Sequence, residues 1–255
     1  MLNSSSSLEP DRPLVSSIPA VAPCDEYLHP LVGRNMALIP LQESHAEDLY
    51  HNIGGVQNAH LYKYVPGGPL TDFESFAAFM KPLYNRSVTF TYAVSSKAAP
   101  GQVEPGSSRE RANILTGIVS QMNIHPSNRC IEIGVLFGSQ LQRTTAATEA
   151  CFLLLKLCFE HWHFLRVEWK TNNLNEPSKK SALRLGFVAE GVFRKHMVLA
   201  GRRRDTAWFS MIDEDWEGGA REALEQWLRD DNFDRQRRQK ARLEEIRARI
   251  LDEKA

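Results

Sequence analysis

Residues 135–150 read VLFGSQLQRTTAATEA, and over this stretch the chain passes from a predicted strand into a predicted helix. Apolar residues dominate positions 131–137, and from Ala146 onwards they recur at helical spacing. Small and hydroxyl-bearing residues at a helix start leave backbone N–H groups unobstructed, and the helix dipole adds partial positive charge there. The stretch therefore predicts a site for a phosphate or pyrophosphate. An ordinary strand-to-helix turn capped by Thr is the alternative.

The flanking segments predict a mixed sheet with helices packed on it, which is the α/β (α+β) class. A helix over residues 146–164 joins strands at 131–137 and 166–171, so these two strands are expected to run parallel with a crossover. A second helix over residues 176–185 is expected to end at Gly186, whose conformational freedom suits a helix C-terminus. Further strands are expected at residues 36–41, 88–95, 114–124, 192–200 and 204–212.

Composition excludes several classes of protein. Of the 255 residues, 42% are hydrophobic and 24% are charged, as in ordinary soluble domains. The 31 basic and 31 acidic residues balance, so nothing in the overall charge favours nucleic acid or an anionic membrane as the main partner. Four cysteines, none in a C-x-x-C pair, favour a reducing compartment. With no signal-peptide pattern and no run of about 18 apolar residues, the sequence predicts a cytoplasmic protein.

Three segments stand apart from the predicted domain. Residues 1–30 are rich in Ser and Pro and are predicted to form a tail, although their few apolar residues leave packing onto the domain open. Residues 98–111 form a polar insert that is expected to be the tip of a hairpin. Residues 217–255 are predicted to form a charged helical extension, with apolar residues at helical spacing towards its end.

Two motifs occur in the order found in one enzyme family. The first is Gln142-x-x-Thr145-x-Ala147 followed by TEA at residues 148–150, and the second is Asn175 with Ser178 three residues later. The helix after Asn175 ends in Leu-Gly-Phe. These motifs resemble the Q/R-x-x-G-x-G/A loop and the Asn, Ser and Leu-Gly-Phe landmarks of the GNAT N-acetyltransferases, in the branch of the ribosomal-protein N-terminal acetyltransferases.

The resemblance covers residues 36–216 and implies a GNAT domain over residues 31–216. The fold it implies is a mostly antiparallel sheet of about seven strands, split by a V-shaped cleft and flanked by helices. One position departs from the family pattern, because Thr145 stands where the family usually has Gly, and a β-branched side chain restricts the backbone.

The resemblance also implies acetyl-CoA as co-substrate and no metal. The pantetheine is expected along the strand edge at residues 131–136, where Val135 and Leu136 lie. Lys179 or Lys180 is a candidate for the 3′-phosphate of CoA. The pyrophosphate is expected on the loop and the first helical turn, formed by Gln142, Arg143, Thr144, Thr145, Ala146, Ala147 and Thr148.

The implied reaction is direct attack of a primary amine on the thioester in a ternary complex. A backbone N–H of the Val135 strand is expected to stabilise the oxyanion. Ser178 is the candidate donor to the departing thiolate, or else a helix cap, and Asn175 is expected to hold the pantetheine or an ordered water.

Glu132 is the first candidate for the catalytic base, ahead of Glu168 and Glu190, because its side chain shares a sheet face with Gly134 that could open on the cleft. The alternative is a structural ion pair of Glu132 with one of three basic residues, Arg129, Lys170 or Arg194.

The sequence therefore predicts an N-acetyltransferase acting on a protein N-terminal α-amine or a small amine. Residues 62–69 and the region of Trp208 are expected to shape the acceptor side. A non-catalytic acyl-CoA-binding or interaction module on the same fold is the alternative. Nucleic acid and membrane are not expected as partners, and the chain is expected to be a monomer or a homodimer.

Overall fold

The computed structural model describes residues 28–87, 89–97, 113–199 and 201–254. Most of the predicted tail, up to residue 27, and the insert predicted over residues 98–111 lie outside the described residues.

The described chain forms one eight-stranded sheet in the order β1-β2-β3-β4-β5-β6-β8-β7. Its strands are β1 Leu31–Val32, β2 Met36–Pro40, β3 Phe90–Lys97, β4 Asn113–His125, β5 Cys130–Phe137, β6 Arg166–Asn172, β7 Val188–Leu199 and β8 Arg202–Ile212. Neighbouring strands are antiparallel except β5 and β6, which are parallel. The predicted mixed, mostly antiparallel sheet is confirmed, with one short strand, β1, beyond the expected seven.

Strands β5 and β6 separate soon after they begin. They pair only from Cys130 and Arg166 to Glu132 and Glu168, although β5 continues to Phe137 and β6 to Asn172. Beyond Glu132 the edges of the two strands therefore face a gap. This is the V-shaped cleft that the family resemblance implies.

Helices cover both faces of the sheet. They are α1 Ala46–Ile53, α2 Phe73–Met80, α3 Thr145–Lys156, α4 Glu176–Leu185, α5 Asp213–Asp215, α6 Arg221–Trp227 and α7 Leu243–Lys254, and a π-helical turn, Leu157–His161, extends α3. Gly186 ends α4 at φ 109°, as predicted. Helices α1 and α2 pack on one face around a smaller core that includes Leu136 and Ile118. Helices α3, α4, α6 and α7 pack on the other face, around the larger core.

The segment after residue 216 shares that larger core. Trp227 of α6 and Leu243, Ile246 and Ile250 of α7 are buried in it. Arg247 of α7 also donates hydrogen bonds to the carbonyl oxygens of Arg184 and Leu183 near the end of α4. The C-terminal helices therefore support the layer that holds α3 and α4. No helix in the described ranges is long and apolar enough to span a membrane.

Candidate active site

The start of α3 presents unpaired backbone donors. Thr144 is the N-cap, and its hydroxyl accepts a hydrogen bond from the N–H of Ala147 at 3.2 Å and donates to the carbonyl of Leu141 at 2.6 Å. The first N–H groups of a helix have no intrahelical acceptor, so those of Thr145 and Ala146 are available to a ligand. The exposed Arg143 immediately precedes the cap. The turn can therefore bind an anion through two N–H groups and one guanidinium.

The departure at Thr145 does not strain this turn. The residue with left-handed backbone is Arg143, at φ 62°, while Thr145 is the first helical residue of α3. A β-branched side chain is compatible with helical backbone, whereas it is a poor choice at positive φ. Thr therefore fits position 145.

Two other residues predicted to bind the pyrophosphate use their side chains for hydrogen bonds within the protein. The amide nitrogen of Gln142 donates to the carbonyl of Phe137 at 2.8 Å and ties the loop to the end of β5. Thr148 is buried, and its hydroxyl accepts a hydrogen bond from Arg184 at 3.1 Å. Ala146 and Ala147 are buried. Lys180 is exposed on α4.

The peptide groups of Val135 point into the cleft. The carbonyl of Arg129 accepts from Leu165 and Arg166 on the β6 side, and Gly138 N–H donates to Thr116 on the β4 side. Because backbone groups alternate along a strand, the odd-numbered residues of β5 face β6 and the even-numbered ones face β4. Val135 lies beyond the last pair with β6, so its N–H has no strand partner there.

Leu136 lies differently. By the same alternation its peptide groups face β4, where it pairs with Ile118. Its side chain is buried in the smaller core. Of the two residues predicted to line the pantetheine, the structure therefore brings Val135 to the cleft and Leu136 to the core beneath it.

The start of α4 holds a hydroxyl at the other wall of the cleft. Asn175 is the N-cap, and its side-chain oxygen accepts from the N–H of Ser178 at 3.3 Å. Ser178 is therefore not the cap. Its oxygen accepts a hydrogen bond from the indole N–H of Trp169 at 3.0 Å, and Trp169 is buried against Phe187. The hydroxyl proton of Ser178 has no acceptor among the residues that the structure describes, so it can be donated to a ligand.

Glu132 lies where β5 and β6 separate. Its Oε2 accepts from the Asn123 amide at 2.6 Å and contacts Lys170 Nζ at 2.9 Å. Lys170 also contacts Glu168 at 2.7 Å and lies 4.1 Å above the centre of the Trp208 ring. The pairing with Lys170 was one of the predicted alternatives. It occupies a single oxygen of Glu132, and Oε1 forms no hydrogen bond with another described residue.

The other two candidate carboxylates have both oxygens engaged. Arg166 binds Glu168 Oε1 at 2.9 Å, and Lys170 binds Glu168 Oε2. Arg166 also forms a two-pronged pair with Glu190, at 2.6 and 2.5 Å, while Ser210 donates to Glu190 at 2.7 Å. Burial raises the pKa of Glu168, but the bonds to Lys170 and Arg166 outweigh it and hold the pKa below its usual range. The Arg166 guanidinium lowers the pKa of Glu190.

This row of charges faces the α1 and α2 side of the sheet, opposite Trp169. Ser139 follows β5, and its hydroxyl contacts the His60 ring at 3.2 Å. This contact brings the turn before residues 62–69 beside the cleft. Tyr62 is buried, and its hydroxyl donates to the carbonyl of Ile53 at 2.7 Å, so it belongs to the core. Trp208 lies on the cleft side of β8, and the centre of its ring is 4.5 Å from that of Phe193.

Sequence reasoning missed Trp169 as the residue that holds Ser178, and it considered Lys170 only as one of three possible ion-pair partners of Glu132. Each makes its contact across separate elements, and the sequence signal available in advance was only the alternation of residues 166–172. Within the described ranges, no group of three or more His, Cys, Asp or Glu side chains could hold a metal ion.

Residues 35–188 match the family described as the Acetyltransferase (GNAT) domain. The chain belongs to the GNAT acetyltransferase family. The family predicted from the two motifs is thereby confirmed, and with it membership of a family of acyltransferases.

Known proteins resemble this GNAT chain to different degrees. A Bacillus subtilis protein named "Putative ribosomal N-acetyltransferase YdaF" is 31% identical over 104 residues, which are 41% of this chain and 57% of that relative's length. The structure of a GCN5-related N-acetyltransferase from Brucella melitensis is 32% identical with a TM-score of 0.80, over 90% of this chain and 97% of that chain. The microcin C7 self-immunity acetyltransferase MccE, solved with acetyl-CoA and AMP, shares the fold at 22% identity and a TM-score of 0.58, over 71% of this chain and 93% of MccE.

Proposed function

We propose that this protein transfers an acetyl group from acetyl-CoA directly to a primary amine, and that the acceptor is the α-amine of a protein or peptide. The observation that carries the proposal is the cleft between β5 and β6. A free N–H of Val135 lies on one wall, and the Ser178 hydroxyl stands on the other wall. Glu132 lies at the apex.

Acetyl-CoA fits the side of the cleft that carries backbone donors. Its pyrophosphate would accept from the N–H groups of Thr145 and Ala146, with Arg143 adding a charge-assisted bond. The pantetheine would run along β5, bonding to the peptide groups of Val135, and Asn175 would approach it from α4. The exposed Lys180 is placed for the 3′-phosphate only if the nucleotide extends along α4.

The groups around the proposed thioester lie on both faces of the sheet, and each has a different role in the reaction. Glu132 Oε1 accepts the proton of the attacking amine, directly or through one water, as the C–N bond forms. The Val135 N–H stabilises the oxyanion. As the C–S bond breaks, Ser178 donates a hydrogen bond to the thiolate. Trp169 binds one lone pair of the Ser178 oxygen and leaves the hydroxyl proton free to point at the sulfur.

Among the candidate carboxylates of the site, only Glu132 has an open oxygen to accept a proton, and this favours an α-amine as acceptor. An α-amine has a pKa of about 7.7–8.0, so a sizeable fraction is neutral near pH 7.5, whereas a lysine-type amine at about 10.4 is almost wholly protonated. A site with one open carboxylate oxygen suits the first better. The relative named as a ribosomal N-acetyltransferase supports the same choice, and a small amine is the second candidate. The domain limits, the cytoplasmic location and the monomer or homodimer state stay predictions.

The test uses the full-length protein, acetyl-CoA and a panel of amines. Calorimetry measures acetyl-CoA binding, and thiol release is followed with peptides that carry a free N-terminus, the same peptides with a blocked N-terminus, and small alkylamines. Binding with thiol release only from free N-termini is expected. Binding without release for any amine would favour the non-catalytic module, and no binding would overturn the proposal.

A further inference from the structure

An arginine on β8 is buried without a hydrogen-bonded partner among the residues that the structure describes. Arg204 is 9% exposed, and its guanidinium forms no hydrogen bond or ion pair with another residue in the described part of the chain. Its Nε is wholly buried and unpaired. Burial lowers the pKa of Arg204, and the charge of Glu132 opposes that shift, which places Glu132 in its electrostatic neighbourhood.

The contrast with Arg166 on the neighbouring strand makes this arrangement unusual. Arg166 is also partly buried, yet it forks onto Glu190 and contacts Glu168. A buried charge that lacks a counter-charge destabilises the fold, so buried arginines are normally paired. Glu132 acts on Arg204 through its charge and not through a hydrogen bond, so a bound molecule can supply the acceptor that Arg204 lacks among the described residues.

Arg204 lies beside the proposed point of transfer. Residues 204, 206 and 208 share one face of β8, and the Lys170 ammonium over the Trp208 ring shows that this is the face of Glu132. The carbonyl of the next residue, Asp205, accepts from the N–H of Asn173 at 2.9 Å, in the turn that leads into α4. Arg204 therefore lies next to the turn that leads from β6 to Ser178. It lies on the sheet face of Glu132, which is the proposed acceptor side.

A second orphaned donor lies on the same face. The indole N–H of Trp208 is buried and has no acceptor within the described ranges. The terminal nitrogens of Arg204 are not wholly buried and form no hydrogen bond with another described residue, so a ligand that supplies oxygen atoms can reach them. A guanidinium binds carboxylates with particular preference, because its N–H groups match their geometry.

We propose that Arg204 recognises a carboxylate on the acceptor, so that the preferred substrate is a primary amine with an acidic group close to it. This inference rests on the proposed acetyl transfer for the identity of the bound molecule. The carboxylate has two possible sources, an acidic side chain near the N-terminus of a peptide or a free amino acid. Both present the same chemistry to Arg204.

The experiment measures acceptor binding without turnover, on full-length protein saturated with CoA. The probes are tetrapeptide amides with Glu or Gln as the second or third residue, and free glutamate against glutamine. We expect at least one Glu probe to bind about tenfold more tightly than its Gln partner, as loss of a charge-assisted pair typically costs that much. The Glu preference should fall below about threefold in Arg204→Gln and persist in Arg202→Gln, a matched change at an exposed arginine of the same hairpin.

Thermal unfolding without ligand distinguishes recognition from a structural role. Because Arg204 is unpaired, Arg204→Gln should leave Tm unchanged or raise it, whereas loss of a structural arginine would lower Tm. Equal binding of Glu and Gln probes by the wild type, or a Glu preference that survives Arg204→Gln, would overturn the inference. A Glu preference in the CoA complex combined with no acetyl transfer from acetyl-CoA would instead overturn the proposed function and leave the anion site standing. Preference for Glu peptides but not for glutamate would assign the peptide source.

Discussion

The two sides of the cleft bind by different means. On the side of β5 and α3, the free groups are backbone N–H donors of residues 135, 145 and 146, and the exposed Arg143 lies beside the last two. On the opposite face, side chains from β5, β6 and β7 form a row of carboxylates and cations that bind one another. Acetyl-CoA always presents the same diphosphate, which backbone donors at fixed positions can bind. The amine acceptor varies between substrates, and side chains that substitution can change suit its recognition. The comparison predicts that substitutions on the second side change chemistry and specificity, while those on the first change CoA affinity.

Glu132→Gln should have the largest effect. Of the three candidate carboxylates, Glu132 alone has an oxygen without a partner among the described residues, and its removal should lower kcat by about 10²- to 10⁴-fold, the usual contribution of a general base, and leave acetyl-CoA affinity unchanged. Steady-state kinetics and calorimetry together measure this. Glu168→Gln is the matched control, since both oxygens of Glu168 are already engaged, and its loss of kcat should be much smaller. Equal losses in the two variants would remove Glu132 as the base.

Arg143→Ala should change the affinity for CoA and not the chemical step. Loss of one exposed charge-assisted contact should weaken CoA binding about tenfold, with kcat at saturation and Tm little changed. Arg143→Gly removes the same charge but tolerates the left-handed backbone at φ 62°, so it should lose the same affinity and be the more stable variant. An unchanged dissociation constant in both would show that the turn before α3 does not hold the phosphates.

Trp169→Phe tests how Ser178 is held. Losing one neutral hydrogen bond should lower kcat about three- to tenfold and leave the acetyl-CoA dissociation constant unchanged. The same change should have no effect on kcat in a Ser178→Ala background, because Trp169 would act only through that hydroxyl. Trp162→Phe controls for lost packing and should leave kcat intact. Trp162 is also buried, but unlike Trp169 its indole nitrogen has no partner in the described structure. Additive losses of kcat in the double variant would contradict the coupling.

The smallest effect concerns acid stability. Because Arg166 lowers the pKa of Glu190, the pair stabilises the fold above the unfolded pKa of about 4.3, and this stabilisation is lost as pH falls through the folded pKa. Glu190→Gln should therefore flatten the fall in Tm between pH 6 and 3. The expected difference in unfolding free energy is under about 1 kcal/mol, since the Glu190 side chain is 39% exposed. A fall identical to that of the wild type would show that the pair contributes nothing.

The same contrast between the two sides separates what sequence could predict from what it could not. The carrier side is encoded in contiguous residues, so the start of α3, the bounds of α4 and its end at Gly186 follow from local patterns. The acceptor side depends on the register between β5, β6 and β8, which joins Glu132 to Lys170 and Trp208 across the chain. No local pattern gives that register. The role of Trp169 as donor to Ser178 likewise needed the fold, because that bond joins β6 to α4.

The most direct test of the carrier site is an amide NMR titration of the ¹⁵N-labelled protein with acetyl-CoA. The backbone donors at the start of α3 and at the β5 edge cannot be removed by side-chain substitution, so their own signals must report binding. The N–H resonances of Thr145, Ala146 and Val135 should shift together and saturate at one equivalent of acetyl-CoA. Saturable binding that leaves these three resonances in place would contradict the proposed site.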